Sequence, residues 1–518
     1  MNRSTLSLIG AVTALAAVTG IGAVTAPGGE PTTDGAAAKR LPVERSTLAC
    51  PQPSDSALAE TDYAAFTPKG KSDEKGNAAL SPAEPADPGD PKGKDEQDDK
   101  GDEDDKDRGQ EDSESKDRSD KPVLSLEQPG QPVTASTQRA DAPALTGTAD
   151  GRFAPGWTVQ QTTTVSAGDG RGLHGMSCAA PDADFWIPGA STADERRDYV
   201  HLTNPDDLAA VVDLELYDKD GAVETEAGRE IIVPPGATVP VLLSTLTARQ
   251  STNVTVHVVA RTGRVSAQVR ALDEKLGGDW VRPSAVPGPR AVLPGIPGDA
   301  TSVRLVVMAP GSKDADLRVR LAGKSGEITP AGHGTLHVRA GTTAAVDLDE
   351  LTRGQAGSLV LSPSEEDDAT PVVAAARVTR EKGSERETAF IPATTPIQER
   401  GTAAGSRSKG STVHLTAPDE AAKVRVTSSA GSEGGSPRTK TYTVRADTTL
   451  AVRPPAPKGG EGAFAVTVER RSGGSVYASR MLEREEDGVP MFTVQSMPDD
   501  RGTVAVPEAG PDLSVLGD

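Results

Sequence analysis

Residues 170–178, GRGLHGMSC, contain two features that could carry chemistry. One is a G-x-G-x-x-G run from Gly170 to Gly175, and the other is Cys178, one of two cysteines in the chain. In a dinucleotide site such a run follows a strand and opens a helix whose N-terminus faces the pyrophosphate. Here the chain continues MSCAAPD, and Pro181 with the small residues before it does not favour that helix. The run therefore predicts a glycine-rich hairpin turn, and no cofactor is expected.

The chain has six histidines: His174, His201, His257, His333, His337 and His414. His333 and His337 have the i, i+4 spacing of a zinc-binding helix, but Gly334 stands where H-E-x-x-H requires Glu. His337 alternates with Leu336 and Val338, which predicts a solvent-facing histidine on a strand. His201, His257 and His414 alternate with apolar neighbours in the same way. We therefore predict no metal site.

No other pattern nominates a catalytic residue, and the sequence predicts a protein that is not an enzyme. The G-x-S-x-G turn of α/β-hydrolases does not occur. Carboxylate pairs are uninformative as glycosidase signals in a chain with 76 acidic residues. Sugar binding usually needs exposed aromatic rings, and most of the 14 aromatic residues are expected in cores. Tyr63, Phe66 and Tyr217 are the possible exceptions.

The N-terminus and the cysteines together indicate export. An uncharged apolar run from Leu6 to Ala26 follows Arg3, which is typical of a signal peptide or an N-terminal membrane anchor. Both alternatives stay open, since Pro27 disfavours cleavage after Ala26. Outside the cytosol two cysteines are expected to pair, so we predict a disulfide between Cys50 and Cys178. The predicted location is extracytoplasmic, either secreted or anchored to the cell membrane by the N-terminal segment.

Nearly half of the formal net charge of −21 lies in one block. Residues 84–120 contain 17 acidic and 7 basic residues and no apolar side chain larger than Ala. Such a segment cannot bury a core, so we predict a disordered acidic insertion over 68–121. No frame of it places ligands as an EF-hand loop does. The excess of negative charge and the lack of a basic run also argue against nucleic-acid binding.

Past residue 180 the sequence repeats with a period near 100 residues, which is a domain-sized repeat. The segments VHLTNP (200–205), LVVMAP (305–310) and VHLTAP (413–418) each follow a short marker. These markers are IPGA at 187, LPGI at 293 and IPAT at 391. Each repeat ends on an aromatic strand, marked by Trp280, Phe390 and Phe492. The segment STLACP (46–51) fits the same template, with Phe185 and Trp186 as the closing aromatic residues of a first copy.

Apolar and polar residues alternate within each copy. Val212, Leu214 and Leu216 are expected to face one side of a strand, and Asp213, Glu215 and Tyr217 the other. About seven such strands per copy, separated by Pro, Gly and Asp turns, predict an all-β fold of four tandem immunoglobulin-like β-sandwich units. A small β-barrel of OB type is the alternative for each unit.

The predicted organisation begins with a signal peptide or N-terminal membrane anchor helix (1–26) and a linker (27–40). A first β unit (41–186) is interrupted by the acidic insertion (68–121). Three further β units (187–290, 291–389 and 390–500) and a C-terminal tail (501–518) follow.

Three segments carry a resemblance to a known family: LPVERSTLACP, RGLHGMSCAAPDADFWIPGA and HLTNPDDLAAVVDLELYDKDGAV with VPPGATVPV. Together they resemble a family of uncharacterised exported actinobacterial proteins, a domain-of-unknown-function family. The resemblance covers residues 41–500 apart from the acidic insertion. It implies a signal or anchor sequence and an envelope location, and it supplies no catalytic residue.

The sequence thus favours an extracytoplasmic structural or interaction protein of the cell envelope, which presents β-sandwich surfaces to protein partners. The alternative is a cell-wall polysaccharide-binding accessory protein of envelope glycan biosynthesis. The expected partner is an envelope protein or a cell-wall glycan, with no nucleic acid. Membrane contact is expected only through the N-terminal segment.

Overall fold

Alternation of apolar and polar side chains produces β-strands, which are the main elements of the residues that the structure describes. The computed structural model describes residues 39–70, 74–85, 121–383, 385–486 and 489–506. Within these ranges the regular elements are strands and four single-turn 3-10 helices, at Gly151–Phe153, Glu226–Gly228, Leu243–Thr245 and Glu366–Asp368. The all-β prediction is confirmed. In the same ranges no helix is long and apolar enough to cross a membrane, and the predicted signal or anchor (1–26) lies outside them.

Most strands belong to pairs of sheets that share one hydrophobic core, and we call each pair a sandwich. The first sandwich packs the sheet β2-β8-β4-β6 against the sheet β10-β9-β3-β7. Its strands are β2 (Arg45–Cys50), β3 (Ala59–Phe66), β4 (Ala78–Pro82), β6 (Leu124–Ser125), β7 (Val133–Thr137), β8 (Leu145–Asp150), β9 (Thr158–Val165) and β10 (Gly172–Ser177).

The second sandwich packs β11-β17-β13-β14, with β15 also on β13, against β19-β18-β12-β16. Its strands are β11 (Asp184–Ala190), β12 (Arg196–Thr203), β13 (Ala210–Asp218), β14 (Gly221–Val223), β15 (Ile231–Val233), β16 (Ala237–Leu242), β17 (Val254–Thr262), β18 (Ser266–Asp273) and β19 (Gly277–Val281). A short strand from the first part of the chain, β5 (Glu84–Pro85), extends the second sheet by pairing parallel to β16.

The third sandwich packs β20-β26-β22-β23, with β24 also on β22, against β28-β27-β21-β25. Its strands are β20 (Ala291–Ile296), β21 (Ser302–Met308), β22 (Ala315–Ala322), β23 (Glu327–Ile328), β24 (Thr335–Val338), β25 (Thr343–Asp347), β26 (Gly357–Pro363), β27 (Val373–Lys382) and β28 (Glu385–Pro392).

The fourth sandwich packs β29-β34-β31-β32 against β36-β35-β30-β33. Its strands are β29 (Arg400–Ser406), β30 (Ser411–Ala417), β31 (Ala422–Gly431), β32 (Arg438–Val444), β33 (Thr448–Val452), β34 (Phe464–Gly473), β35 (Tyr477–Glu486) and β36 (Val489–Ser496).

The four sandwiches have one strand order. In each, the first and third strands flank one later strand in one sheet, and the last, next-to-last and second strands run side by side in the other. Alternation predicted the inward faces correctly, since Val212, Leu214 and Leu216 are all buried. Separately, β1 (Lys39–Pro42) and β37 (Thr503–Val506) form a two-stranded sheet. That pair lies largely in a small compact unit (up to 41 and from 504), while residues 42–503 form the other unit.

The insertion predicted over 68–121 starts too early. Residues 78–82 form β4, which pairs with both β6 and β8, and Ala78 and Leu80 are buried in the first core. Composition hid this strand because it is short and rich in Ala, Ser and Pro. Residues 86–120, which hold most of the acidic block, lie outside the described residues.

The repeat marker also needs correction. In β11 and β20 it forms a β-bulge, where Gly189 and Gly295 take φ of 102° and 95°. The fourth sandwich has its bulge in β29, at Gly405 with φ of 71°, whereas the predicted marker IPAT (391) lies at the end of β28. The predicted unit starts at 187 and 390 therefore fall inside β11 and β28. Phe185 and Trp186 likewise belong to the first strand of the second sandwich and do not close the first.

The sandwiches contact one another in a closed ring. Their last strands form a cycle, in which β10 contacts β19, β19 contacts β28, β28 contacts β36, and β36 contacts β10. The first strand of each sandwich contacts the next-to-last strand of a neighbour: β2 with β18, β11 with β27, β20 with β35, and β29 with β9. Equivalent strands meet at all four junctions. One of these junctions joins the fourth sandwich to the first, so the ring is closed.

Candidate functional site

The two cysteines form a disulfide at the edge of the first core. Cys50 ends β2 and Cys178 follows β10, with an S–S distance of 1.96 Å. Their neighbours Ala49 and Ala179 exchange backbone hydrogen bonds of 2.9 and 3.0 Å. Cys178 comes directly after the last strand of the first sandwich. The bond therefore joins the first strand of the first sandwich to the segment that follows its last strand.

The G-x-G-x-x-G run ends the turn between β9 and β10 and forms the first four residues of β10, and its glycines allow close packing at the ring centre. A Cβ on Gly175 would lie 2.3 Å from Thr493 Cγ2 of β36. A Cβ on Gly172 would lie 2.9 Å from the carbonyl oxygen of Gly278 in β19. These side-chain-free positions let β10 approach two other last strands. The glycines thus have a packing role, which the sequence did not reveal.

One buried carboxylate contacts all of the other last strands. Asp279 of β19 accepts hydrogen bonds from the Gly175 N–H of β10 (2.9 Å), the Phe390 N–H of β28 (3.4 Å) and the Thr493 hydroxyl of β36 (3.2 Å). Arg282 donates to the carbonyl oxygens of Phe390 and Val494 from the same region. Burial raises the pKa of Asp279 to about 7, against the opposite effect of Arg282. The ring centre therefore contains a buried hydrogen-bond network that joins the sandwiches.

An ion-pair cluster joins the first and third sandwiches beside this network. Arg171, directly before β10, contacts Glu387 of β28 at 2.7 Å and Glu385 at 2.9 Å. Burial raises the pKa of Glu387 to about 7, and Arg171 acts in the opposite direction. This cluster therefore links the first sandwich, through Arg171, to the third, through Glu385 and Glu387.

Three histidines are buried. Two of them, His201 and His414, were predicted on strand faces, and the third, His174, lies within the G-x-G-x-x-G run. His174, His201 and His414 have exposed fractions of 1, 2 and 1%. Burial lowers the pKa of each, to about 4, 3 and 4. His201 and His414 do lie on the outward faces of their own sheets, but those faces are covered within the ring. By contrast His337 is solvent-facing, as predicted, and its Nδ1 lies 2.9 Å from Asp316.

Of the three possible aromatic platforms, only Tyr217 is partly exposed. Tyr63 and Phe66 are 2 and 3% exposed, which corrects the prediction for both. Tyr217 belongs to an outward cluster on the second sandwich, in which the Trp186 ring stacks on His257 with centroids 3.7 Å apart. Two carboxylates hold the imidazole, with Glu215 at 2.9 Å from Nδ1 and Asp184 at 2.9 Å from Nε2. We call Trp186, Tyr217 and His257 the aromatic cluster.

A cleft lies where the ring closes, between the first and fourth sandwiches. It has a volume of about 460 Å³. One wall comes from β3, β7 and β9, and the other from β35, the turn after β29 and two loops of the fourth sandwich. Asp62 of β3 accepts from Arg407 (2.9 Å) and Arg484 (2.7 Å) across the junction. We call this the closure cleft.

A fully buried arginine lies under the closure cleft. The Arg480 guanidinium donates to the side-chain oxygens of Gln160 (2.7 Å) and Ser406 (3.2 Å), to Gln495, and to the Ala404 carbonyl. Within the described residues no carboxylate lies within ion-pair distance of it. Burial lowers its pKa to about 9, and Arg282 acts in the same direction. The cleft floor therefore carries a positive charge at neutral pH.

Sequence reasoning missed these polar residues of the ring. Asp279 and Arg480 lie in strands and Arg282 directly follows one, each with apolar neighbours, as in GGDWVR and YASRML. Charged residues inside such segments were the available signal. Among the described residues, no group of three or more His, Cys, Asp or Glu side chains could hold a metal ion.

The comparisons with known proteins identify one family. A family described as "Family of unknown function (DUF5719)" matches residues 133–455. This is a shorter stretch than the 41–500 over which the sequence resembles such a family, and the description states neither source nor location. No curated protein and no solved structure matches the chain.

Proposed function

We propose, from the premise that the chain belongs to the DUF5719 family of unknown function, that it is an extracytoplasmic, non-enzymatic interaction protein of the cell envelope. In this proposal four immunoglobulin-like sandwiches form a rigid ring that presents their outward faces to protein partners. The observation that carries it is the ring itself. Four copies of one strand order meet through the same pair of strands at every junction, with Asp279 contacting three neighbouring strands.

Rigidity is what such a ring offers a partner. Surfaces held in fixed relative positions lose little conformational entropy on binding, so more of the contact energy becomes affinity. The ring centre supplies that rigidity, because its polar groups are buried and a displaced strand would leave donors and acceptors without partners. The disulfide Cys50–Cys178 supports an extracytoplasmic location, where such bonds persist.

Cell-wall polysaccharide binding is the second candidate function, and the aromatic cluster favours it. The other two tryptophans, Trp157 and Trp280, are buried, whereas Trp186 is partly exposed. It stands beside the carboxylates of Asp184 and Glu215, whose side chains are 55 and 46% exposed. An indole ring flanked by carboxylates can stack on a sugar ring and accept hydrogen bonds from its hydroxyl groups.

A crosslinking pull-down from intact producing cells tests the two functions. The bait is the chain with an affinity tag after Asp518, and the matched control is the Trp186→Ala variant. We expect an envelope protein to be recovered with both baits. Glycan recovered without protein, and lost with Trp186→Ala, would favour polysaccharide binding. Recovery of neither, or of cytoplasmic proteins only, would contradict the proposed function.

A further inference from the structure

The closure cleft is lined by charged groups that are only partly neutralised by one another. Two guanidinium groups, of Arg407 and Arg484, share the single carboxylate of Asp62. Arg484 also donates to Thr164 at 2.6 Å, while the Arg407 side chain is 57% exposed. One positive charge therefore remains at this pair, and Arg407 keeps N–H donors that are open to the cleft.

Lys409 adds a second free donor from the same turn. It follows Arg407 by two residues, lines the cleft and is exposed. Glu483, on the same strand as Arg484, is engaged from outside the cleft by Arg380 at 3.0 Å. Glu433, on the loop between β31 and β32 of the fourth sandwich, is the remaining acidic group of the lining.

The buried Arg480 adds to this positive charge. Its donors contact neutral acceptors, and a Cβ on the lining residue Gly405 would lie 3.9 Å from its Nη1. Its field is weakly screened because the guanidinium is out of water. With Arg407, Lys409, Arg484 and Arg480 against Asp62, Glu433 and the already paired Glu483, the cleft is net positive. The whole chain has a net charge of −21, so general charge balance does not explain a positive cleft.

We propose that the closure cleft binds an acidic glycan, a hydroxyl-rich chain whose carboxylate or phosphate groups pair with Arg407 and Lys409. The volume of about 460 Å³ suits a short stretch of such a chain. The rest of the lining fits its hydroxyl groups, since Thr134, Ser136 and Thr162 supply neutral donors and acceptors. The guanidinium fork of Arg407 matches either oxyanion in bidentate geometry.

Calorimetric titration of the full chain with three probes tests this site. The probes are tetragalacturonate, which carries carboxylates, a glycerol-phosphate tetramer, which carries phosphates, and neutral maltotetraose. We expect one or both acidic probes to bind, with affinity falling as salt is added, and maltotetraose not to bind. The probe that binds identifies the anionic group.

Variants assign the binding to named side chains. R407Q/K409Q is expected to weaken binding by about tenfold or more, because each lost contact is charge-assisted. The matched control K313Q/R353Q removes the same charge from exposed positions of the third sandwich and should leave the affinity unchanged. Asp62→Asn should tighten binding, since it frees both guanidinium groups for the ligand, and a merely structural role would not produce that gain.

Three outcomes would overturn the inference. They are binding of neither acidic probe, equal binding of maltotetraose, and equal affinities for R407Q/K409Q and its control. None of them changes the expectation for the protein partner, because the pull-down does not depend on these side chains.

Discussion

The C50A/C178A variant is expected to lose about 4 kcal/mol of unfolding free energy relative to the oxidised protein. The bond closes a loop with a sequence separation of 128 residues, and long loops lose the most chain entropy when they are closed in the unfolded state. Both cysteines also pack in the first core with Tyr63 and Trp157. Urea unfolding of the purified protein, monitored by circular dichroism, measures the change.

Reduced wild-type protein is the control for this prediction. It keeps both side chains in the core, so its loss of stability should be close to that of C50A/C178A if loop closure dominates. Intact mass after alkylation with and without reduction shows the state of the thiols. Two free thiols in the purified protein, or a change in stability below about 1 kcal/mol, would contradict the prediction.

Asp279→Ala is expected to cost about 3–5 kcal/mol, because it leaves the buried Arg282 without its nearby charge and three donors without an acceptor. The donors are the Gly175 and Phe390 amides and the Thr493 hydroxyl. Asp220→Ala removes an exposed aspartate and should change stability little. Urea unfolding at pH 8, where the Asp279 carboxyl is ionised, compares the two. Equal effects would mean that the ring centre does not depend on this carboxylate.

The pH dependence of Asp279→Asn gives a sharper form of this test. The folded-state pKa of Asp279 is raised from 3.8 to about 7. Between these values the folded protein holds a proton that the unfolded chain has released, so this group costs stability as the pH rises from about 4 to 7. Asn does not titrate. The disadvantage of Asp279→Asn relative to wild type should therefore shrink by about 3 kcal/mol between pH 5 and pH 8. A constant difference would contradict the raised pKa.

Alternation along the strands was sufficient to predict the faces of each sheet, but it does not show what covers them. Val212, Leu214 and Leu216 lie in the second core as expected, since a period of two places them on one face. His201 and His414 lie on the opposite faces, as the same rule requires, yet they are buried. Those faces are covered by contacts between sandwiches, which join residues far apart in sequence and leave no local periodic signal.

The closure cleft was beyond sequence reasoning for the same physical reason. Asp62 and Arg484 are separated by 422 residues, and Arg480 and Gln160 by 320. No spacing rule relates such positions, and each residue alone is an ordinary strand residue. The repeat did indicate four copies of one strand pattern, but their closure into a ring follows from the first copy meeting the last. The insertion over 68–121 was predicted from composition, and β4, which lies within that range, was therefore missed.

The closed ring is the central claim of this account, and a crosslink between its first and last members tests it most directly. Ala64 of the first sandwich and Gly405 of the fourth are suitable, because a Cβ on Gly405 would lie 3.1 Å from the Ala64 Cβ. Under oxidation, A64C/G405C should form a second disulfide across the ring, seen as faster migration in a non-reducing gel that reduction reverses. Two free thiols in the folded, oxidised variant, with the native Cys50–Cys178 bond intact, would show that the first and fourth sandwiches do not meet.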